Sequence, residues 1–471
     1  MRTHSLRLFL LLLLAITIPI LLFGTGSGRA DDREGKGDRE NEGQNQREGN
    51  NDRAVRLFRT VAIPPTEANT TAGALYSFDI SFVDQATQTY YLADRSNKTV
   101  DVVDTKTLKL TNRVTGGFAG FTACVGVPGA GANDCAGPNG VATSANCLFV
   151  TDAPSRVVSF NKATLTLVSS VKTDPNEPTR ADELAVDPRD SLILAINNAA
   201  DPPFGTFVTF DPTTCTLTPP NPAKDRVTLN AAGGVDATNG AEQPIWDPGT
   251  QKFYVSIPEV AKVTENGAVV RIDPHTKKVD GSFLVKFCSP AGLTLGPNED
   301  ALVGCNLIFN TAGKPWSATG AVTAAPIQVI LNLVTGKQVQ VAGVGVGDEV
   351  WFNKGDGNYY TASSTSPLRP QVGPGQTAPA LTAQGAAILG VIDAKDKTVL
   401  QLVPTFNVPA VTPPGMPVHP AGTAHSVAAD AKNNRIFVPL AANNVYPDCL
   451  TGCIAVYSHP DEDKPGVAAV P

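Results

Sequence analysis

The feature that most constrains this chain is a phrase of four short apolar runs that recurs along it. In its clearest copy, Gly137-Pro138-Asn139-Gly140-Val141-Ala142-Thr143 leads into Cys147-Leu148-Phe149-Val150-Thr151-Asp152. Arg156-Val157-Val158-Ser159-Phe160-Asn161 and Leu165-Thr166-Leu167-Val168 follow. Each run is too short for a helix, and no segment keeps a 3.6-residue period for three turns, so the runs read as strands joined by tight turns. The second and third runs return at 90–94 and 99–104, 192–195 and 206–211, 253–256 and 268–273, 301–304 and 327–332, 358–361 and 387–393, and 435–438 and 454–457. Asp or Asn closes the third run in the first six copies (Asp104, Asn161, Asp211, Asp273, Asn332, Asp393), where its side chain can bond the backbone two residues on.

A four-stranded unit repeated seven times implies an all-β chain, a seven-bladed β-propeller of antiparallel blades. The seventh copy stops after its third strand, near Ser458. The missing strand is available at the other end, where Val55-Arg56-Leu57-Phe58-Arg59-Thr60-Val61-Ala62-Ile63 precedes the first copy without a partner. Pairing the two would close the ring and remove two open edges. The frequent Gly (42) and Pro (38) and the low charged fraction (17%) suit many short strands and turns.

Residues 1–30 have a basic start (Arg2, His4, Arg7), a leucine-rich apolar run and then small residues, the three parts of a secretory signal. An uncleaved anchor is the alternative. Residues 31–53 carry mixed charges and no Leu, Ile, Val or Phe, the composition of a disordered spacer. The propeller domain is then 54–471. The expected setting is secreted or periplasmic, with no stable membrane insertion after cleavage. A net charge of −7 argues against nucleic acid or an anionic membrane as partner. Eight cysteines behind a signal suggest disulfides. Close spacing favours Cys124–Cys135, Cys288–Cys305 and Cys449–Cys453, leaving Cys147 and Cys215 for each other, although spacing alone does not settle connectivity. No nucleophile elbow, phosphate-binding loop or haem-attachment motif occurs. Insertions at 306–325, 363–384 and 408–423 are candidates for recognition loops.

The alternation in YYLADRSNKTVDVVDTKT (90–107) and PNGVATSANCLFVTDAPSRVVSF (138–160) resembles bacterial YVTN-type and NHL-type propellers. It is also similar to the senescence-marker/gluconolactonase superfamily, which includes paraoxonase-like enzymes. In such propellers the innermost strand of each blade begins at one mouth of the central channel. The residues two places before the first run of each copy (Asp79, Asn139, Asp182, Glu242, Ala291, Asp348 and His425) then form a ring there. Glu242-Gln243-Pro244-Ile245-Trp246 looks like that superfamily's E-G-P-x-W metal motif, with Gln for Gly. Asn139-Gly140-Val141 looks like its N-G-L motif, and Asp182-Glu183-Leu184 like its D-G-M motif, with Glu for Gly. The order along the chain differs, since the Glu motif comes last here.

The ring gathers four carboxylates, with Glu183 and Glu349 beside two of them. Such a cluster must be hydrated, partly protonated or neutralised by a cation. A hard cation such as Ca²⁺ takes oxygen ligands of this kind, with Glu242, Asn139 and Asp182 as the expected set. A bound metal could activate water for attack on a lactone or ester, with His425 or Asp348 as general base. Two functions stay open: a binding or scaffold propeller that takes a small molecule or protein at the channel mouth, and a calcium-dependent lactonase or esterase.

Overall fold

Tyr90-Tyr91-Leu92-Ala93-Asp94 is buried along its whole length, as are the second strands of the other repeats. A strand apolar on both faces must be covered from both sides, so its sheet is sandwiched between two others. The fourth strands, such as Lys109–Val114, are instead half-exposed outer edges. In the computed structural model, residues 54–70, 73–131, 133–316, 327–344, 347–363, 387–405 and 425–460 are described. The expected signal and spacer lie outside them, as do residues 317–325, 364–384 and 408–423 of the expected recognition loops.

The described residues form 28 strands and no α-helix. The strands make four-stranded antiparallel sheets, a β-propeller-like arrangement. Two such units, one spanning 244–286 and the next 288–342, are joined into an eight-stranded sheet by a single parallel bridge between Asn266 and Cys288. Each unit begins with a short inner strand: Ser81–Asp84, Val141–Thr143, Leu184–Asp187, Pro244–Asp247, Cys288–Leu295, Val350–Asn353 and Ala428–Asp430. Each inner strand contacts the next in this order, and Ala428–Asp430 contacts Ser81–Asp84.

The sheet that contains Ala428–Asp430 takes its fourth strand from the start of the chain. Arg56–Ala62 pairs antiparallel with Cys453–Ser458, with Ala62 opposite Cys453 and Arg56 opposite Ser458. The core lies between neighbouring sheets rather than within one. Tyr90 and Leu92 pack with Phe437 and Val456, for example, and the Tyr90 and Phe437 rings stack at 5.0 Å.

The closing Asp or Asn of the third strand plays the turn role expected of it. Asp104 accepts from the N–H groups of Lys106 and Thr107, Asn161 from Ala163 and Thr164, Asp273 from His275 and Thr276, and Asp393 from Lys395 and Asp396. Four residues after the cap the backbone turns left-handed, at Leu108, Leu165, Cys215, Lys277 and Lys397. The N–H of that residue closes the turn onto the carbonyl of the capping residue, at 2.7–2.9 Å for these five. One polar cap and one left-handed residue thus set each of these five hairpins.

All four expected disulfides are present: Cys124–Cys135, Cys147–Cys215, Cys288–Cys305 and Cys449–Cys453. They fit folding in an oxidising compartment. Among the described residues, no helix is long and apolar enough to cross a membrane.

Removing residues 54–63 should strip the partner from Cys453–Ser458 and uncover the sites of Val55, Val61 and Ile63, which are buried. At about 1.5–3 kcal/mol for each apolar side chain lost, the truncated protein should lose its cooperative thermal transition or self-associate through the open edge. Calorimetry with light scattering checks this, and an unchanged melting curve would show the strand to be dispensable.

Candidate functional site

Five of the seven aligned residues take their place through one recurring hydrogen bond. The N–H groups of Asp79, Asn139, Asp182, Glu242 and Asp348 donate to the carbonyls of Ala93, Thr151, Ile196, Ser256 and Ala362, at 2.7–2.9 Å. Each acceptor lies near the end of the second strand of the same unit. The column is therefore a true structural register, and its side chains share one end of the inner strands.

At the next position neighbouring inner strands nearly touch. Gly140 N–H donates to Asp182 O and Gly292 N–H to Asp348 O. A Cβ at Gly140 would lie 2.9 Å from Asp182 O, and one at Gly292 would lie 2.2 Å from Asp348 O. Only glycine allows this approach. Ser426 makes a comparable bridge, its hydroxyl accepting from Ser81 N–H at 2.8 Å.

The column's charges are largely paired, and the cations are side chains. Arg95 follows the second strand of the first unit. It forms an ion pair with Asp79 and donates to Asn139 Oδ1 from Nε (3.0 Å) and from its terminal nitrogen (2.7 Å). Arg180 lies 2.8 Å from Asp182 Oδ1 and donates to Asp182 Oδ2 at 2.9 Å. His425 faces Asp79 with Nε2 (2.9 Å) and Asp348 with Nδ1 (2.7 Å). A continuous chain results: Asp348, His425, Asp79, Arg95, Asn139 and Asp182, then Arg180.

The ionisation of these groups follows from that pairing. Burial alone would raise Asp79, but the Arg95 guanidinium and His425 hold it well below the usual carboxylate range. Burial opposes charge on His425, yet Asp348 and Asp79 raise it well above the usual imidazole value. Asp182 is pushed up to about 6 by burial, tempered by Arg180. Three aspartates thus face three cations. The glutamates have no such match. Burial and the neighbouring carboxylates push Glu242 up to about 8 and raise Glu183 and Glu349 well above normal.

These contacts bear on the roles expected from sequence. Asn139 and Asp182 fit a calcium ion poorly. The amide oxygen of Asn139 is held by Arg95, its amide nitrogen donates to the carbonyls of Ala136 and Ala181, and Asp182 is held by Arg180. Glu242 borders a separate polar cavity of about 600 Å³, together with Asp134, Asn198, Asp201 and Asp236. Among the described residues no group of three or more His, Cys, Asp or Glu is placed to hold a metal ion. His425 has a carboxylate at each ring nitrogen, Asp79 at Nε2 and Asp348 at Nδ1, so both nitrogens are engaged within the network.

Sequence reasoning missed Arg95 and Arg180. The available signal was their position: Arg95 directly after the second strand, and Arg180 two residues before the column, both at the column's own end of the sheets.

Below this charged layer runs an apolar cavity of about 580 Å³. Residues in or next to all seven inner strands line it, including Phe82, Ala142, Ala185, Ile245, Trp246, Leu293, Trp351 and Ala431. Glu183 and Gln243 stand at the charged end, Gln85 and Lys354 at the other.

No protein-family model matches the chain, and no curated protein matches it in sequence. Among solved structures it is similar to Kuenenia stuttgartiensis hydrazine synthase, with a TM-score of 0.53 and 12% identity over 84% of this chain and 98% of that one. At that identity the likeness is one of fold.

Arg95 is 4% exposed. Arg95→Met should cost roughly 3–5 kcal/mol, because Asp79 stays buried without its partner. Urea unfolding measures this, and a cost under 1 kcal/mol would deny the network a structural role.

Glu242 has the opposite sign. Its folded value near 8 lies above its ordinary 4.5, so the native state keeps a proton that the unfolded chain releases. Its contribution is complete below pH 4.5 and is lost as pH rises through about 8. Glu242→Gln should therefore melt like the parent at pH 4.5 and a few degrees higher at pH 9, as differential scanning fluorimetry would show.

Proposed function

We propose that this chain is a seven-bladed β-propeller, closed by its N-terminal strand, that works as a secreted or periplasmic binding protein with its ligand in the central channel. The observation that carries this reading is the apolar cavity. It is lined from all seven inner strands, and its volume of about 580 Å³ falls in the range of small-molecule sites. The cyclic contacts among the inner strands and the pairing of Arg56–Ala62 with Cys453–Ser458 support closure into a ring.

The charged layer then serves as the rigid floor of the site, its aspartates already neutralised by arginine and histidine. This agrees with the resemblance to YVTN-type and NHL-type propellers. The alternative, a calcium-dependent lactonase or esterase, would require Asn139 and Asp182 to exchange their guanidinium partners for a metal. It would also need a base other than the doubly bound His425.

Two of the chain's three tryptophans, Trp246 and Trp351, line the cavity and act as built-in reporters. A neutral apolar probe such as 1-octanol should shift their emission saturably, and Ala185→Trp, which fills the channel, should abolish the response. Chelation should leave the melting temperature unchanged. Stoichiometric calcium that is lost in Glu242→Gln, together with lactone hydrolysis, would instead establish the enzyme reading.

A further inference from the structure

Glu183 lines the channel at its charged end, where it is 6% exposed, and Glu349 is 5% exposed. Among the described residues neither carboxyl has a hydrogen-bond or ion-pair partner, although every aspartate of the ring has one. A buried carboxylate without a partner is costly, and a carboxyl that faces a cavity can be satisfied by what enters it. On top of burial, the carboxyls of Glu349, Asp182, Glu242 and Asp79 oppose ionisation of Glu183. The nearby cations do not relieve it, since Arg95, Arg180 and His425 are engaged with the aspartates.

The rest of the cavity is hydrocarbon and aromatic. Phe82 packs edge-on against Trp351 at 5.5 Å, and Ile245, Trp246 and Leu295 complete the wall. The far end carries Lys354, which repels a positive group there. The cavity therefore has a direction: an acidic inner end at Glu183, apolar walls and a cationic rim at Lys354.

We propose that the channel binds a hydrophobic amine, with its ammonium group at Glu183, on which the Glu349 carboxyl also acts electrostatically, and its apolar body against Phe82, Ile245, Trp246 and Trp351. Burial and the neighbouring carboxyls oppose ionisation of Glu183; a bound ammonium favours its carboxylate form and supplies up to three donors to it. Burial of an alkyl or aryl body supplies the remaining affinity. This inference rests on the channel being the ligand site, as proposed above.

The test compares octylamine with its neutral counterpart 1-octanol by tryptophan emission and calorimetry on the full protein. Octylamine should bind at least tenfold more tightly. Glu183→Gln and, separately, Glu349→Gln should remove most of that advantage while leaving the octanol affinity within about twofold. Each substitution mimics a protonated carboxyl in shape, and a thermal melt confirms the fold. If either variant fails to fold, the other variant and the wild-type comparison decide. Equal binding of amine and alcohol, or an amine preference that survives both substitutions, would overturn the ammonium site and leave the channel as a neutral apolar pocket. Failure of both probes to bind would overturn the channel reading itself.

Discussion

The structure depends on bringing the starts of its inner strands together, which crowds like charges into one buried cluster. The chain from Asp348 through His425, Asp79, Arg95 and Asp182 to Arg180 resolves that conflict. It crosses the units that begin at Val350, Ala428, Ser81, Val141 and Leu184, so separate sheets are tied by charge as well as by the few backbone contacts between them. Buried ion pairs of this kind return little net stability compared with apolar packing, but losing one partner is expensive.

The same crowding explains the glycines at 140 and 292. Adjacent inner strands approach until one N–H reaches the carbonyl of the next, and a side chain there would collide with backbone. This narrow layer separates two chemistries. On one side lie charges that satisfy each other, and on the other an apolar channel with aromatic walls. Glu183 stands at the boundary without a partner, where burial and the neighbouring carboxyls oppose its ionisation. The cations of the cluster pair with aspartates, which leaves Glu183 at the cavity unmatched.

Much of the fold was legible in the sequence because it is local. The Asp or Asn caps at 104, 161, 273 and 393 act within four residues of themselves. The pairing of Cys147 with Cys215 followed from the closeness of the other six cysteines. The unpartnered strand ahead of the first repeat announced its place beside Cys453–Ser458 through the missing strand at the other end. The candidate site was legible only in part. The aligned column identified Asp79, Asp182, Glu242, Asp348 and His425 as neighbours, yet suggested a metal where guanidinium groups stand. Arg95 sits in the turn between Thr89–Asp94 and Thr99–Asp104 and Arg180 in the connection ahead of Leu184–Asp187, so alignment of the strands carried no sign of where their long side chains would reach.

The sequence by itself determined the strands, their turns, their number per unit and which residues share an end of the sheets, because period-two burial and turn chemistry are short-range. Only the tertiary structure decided which charges meet. Ion pairs across units depend on distances of a few ångströms between residues such as Asp79 and His425, far apart in the chain and joined at 2.9 Å. It also decided that the three glutamates of the site go unmatched, because partner choice in a buried ring depends on side-chain reach and geometry rather than composition.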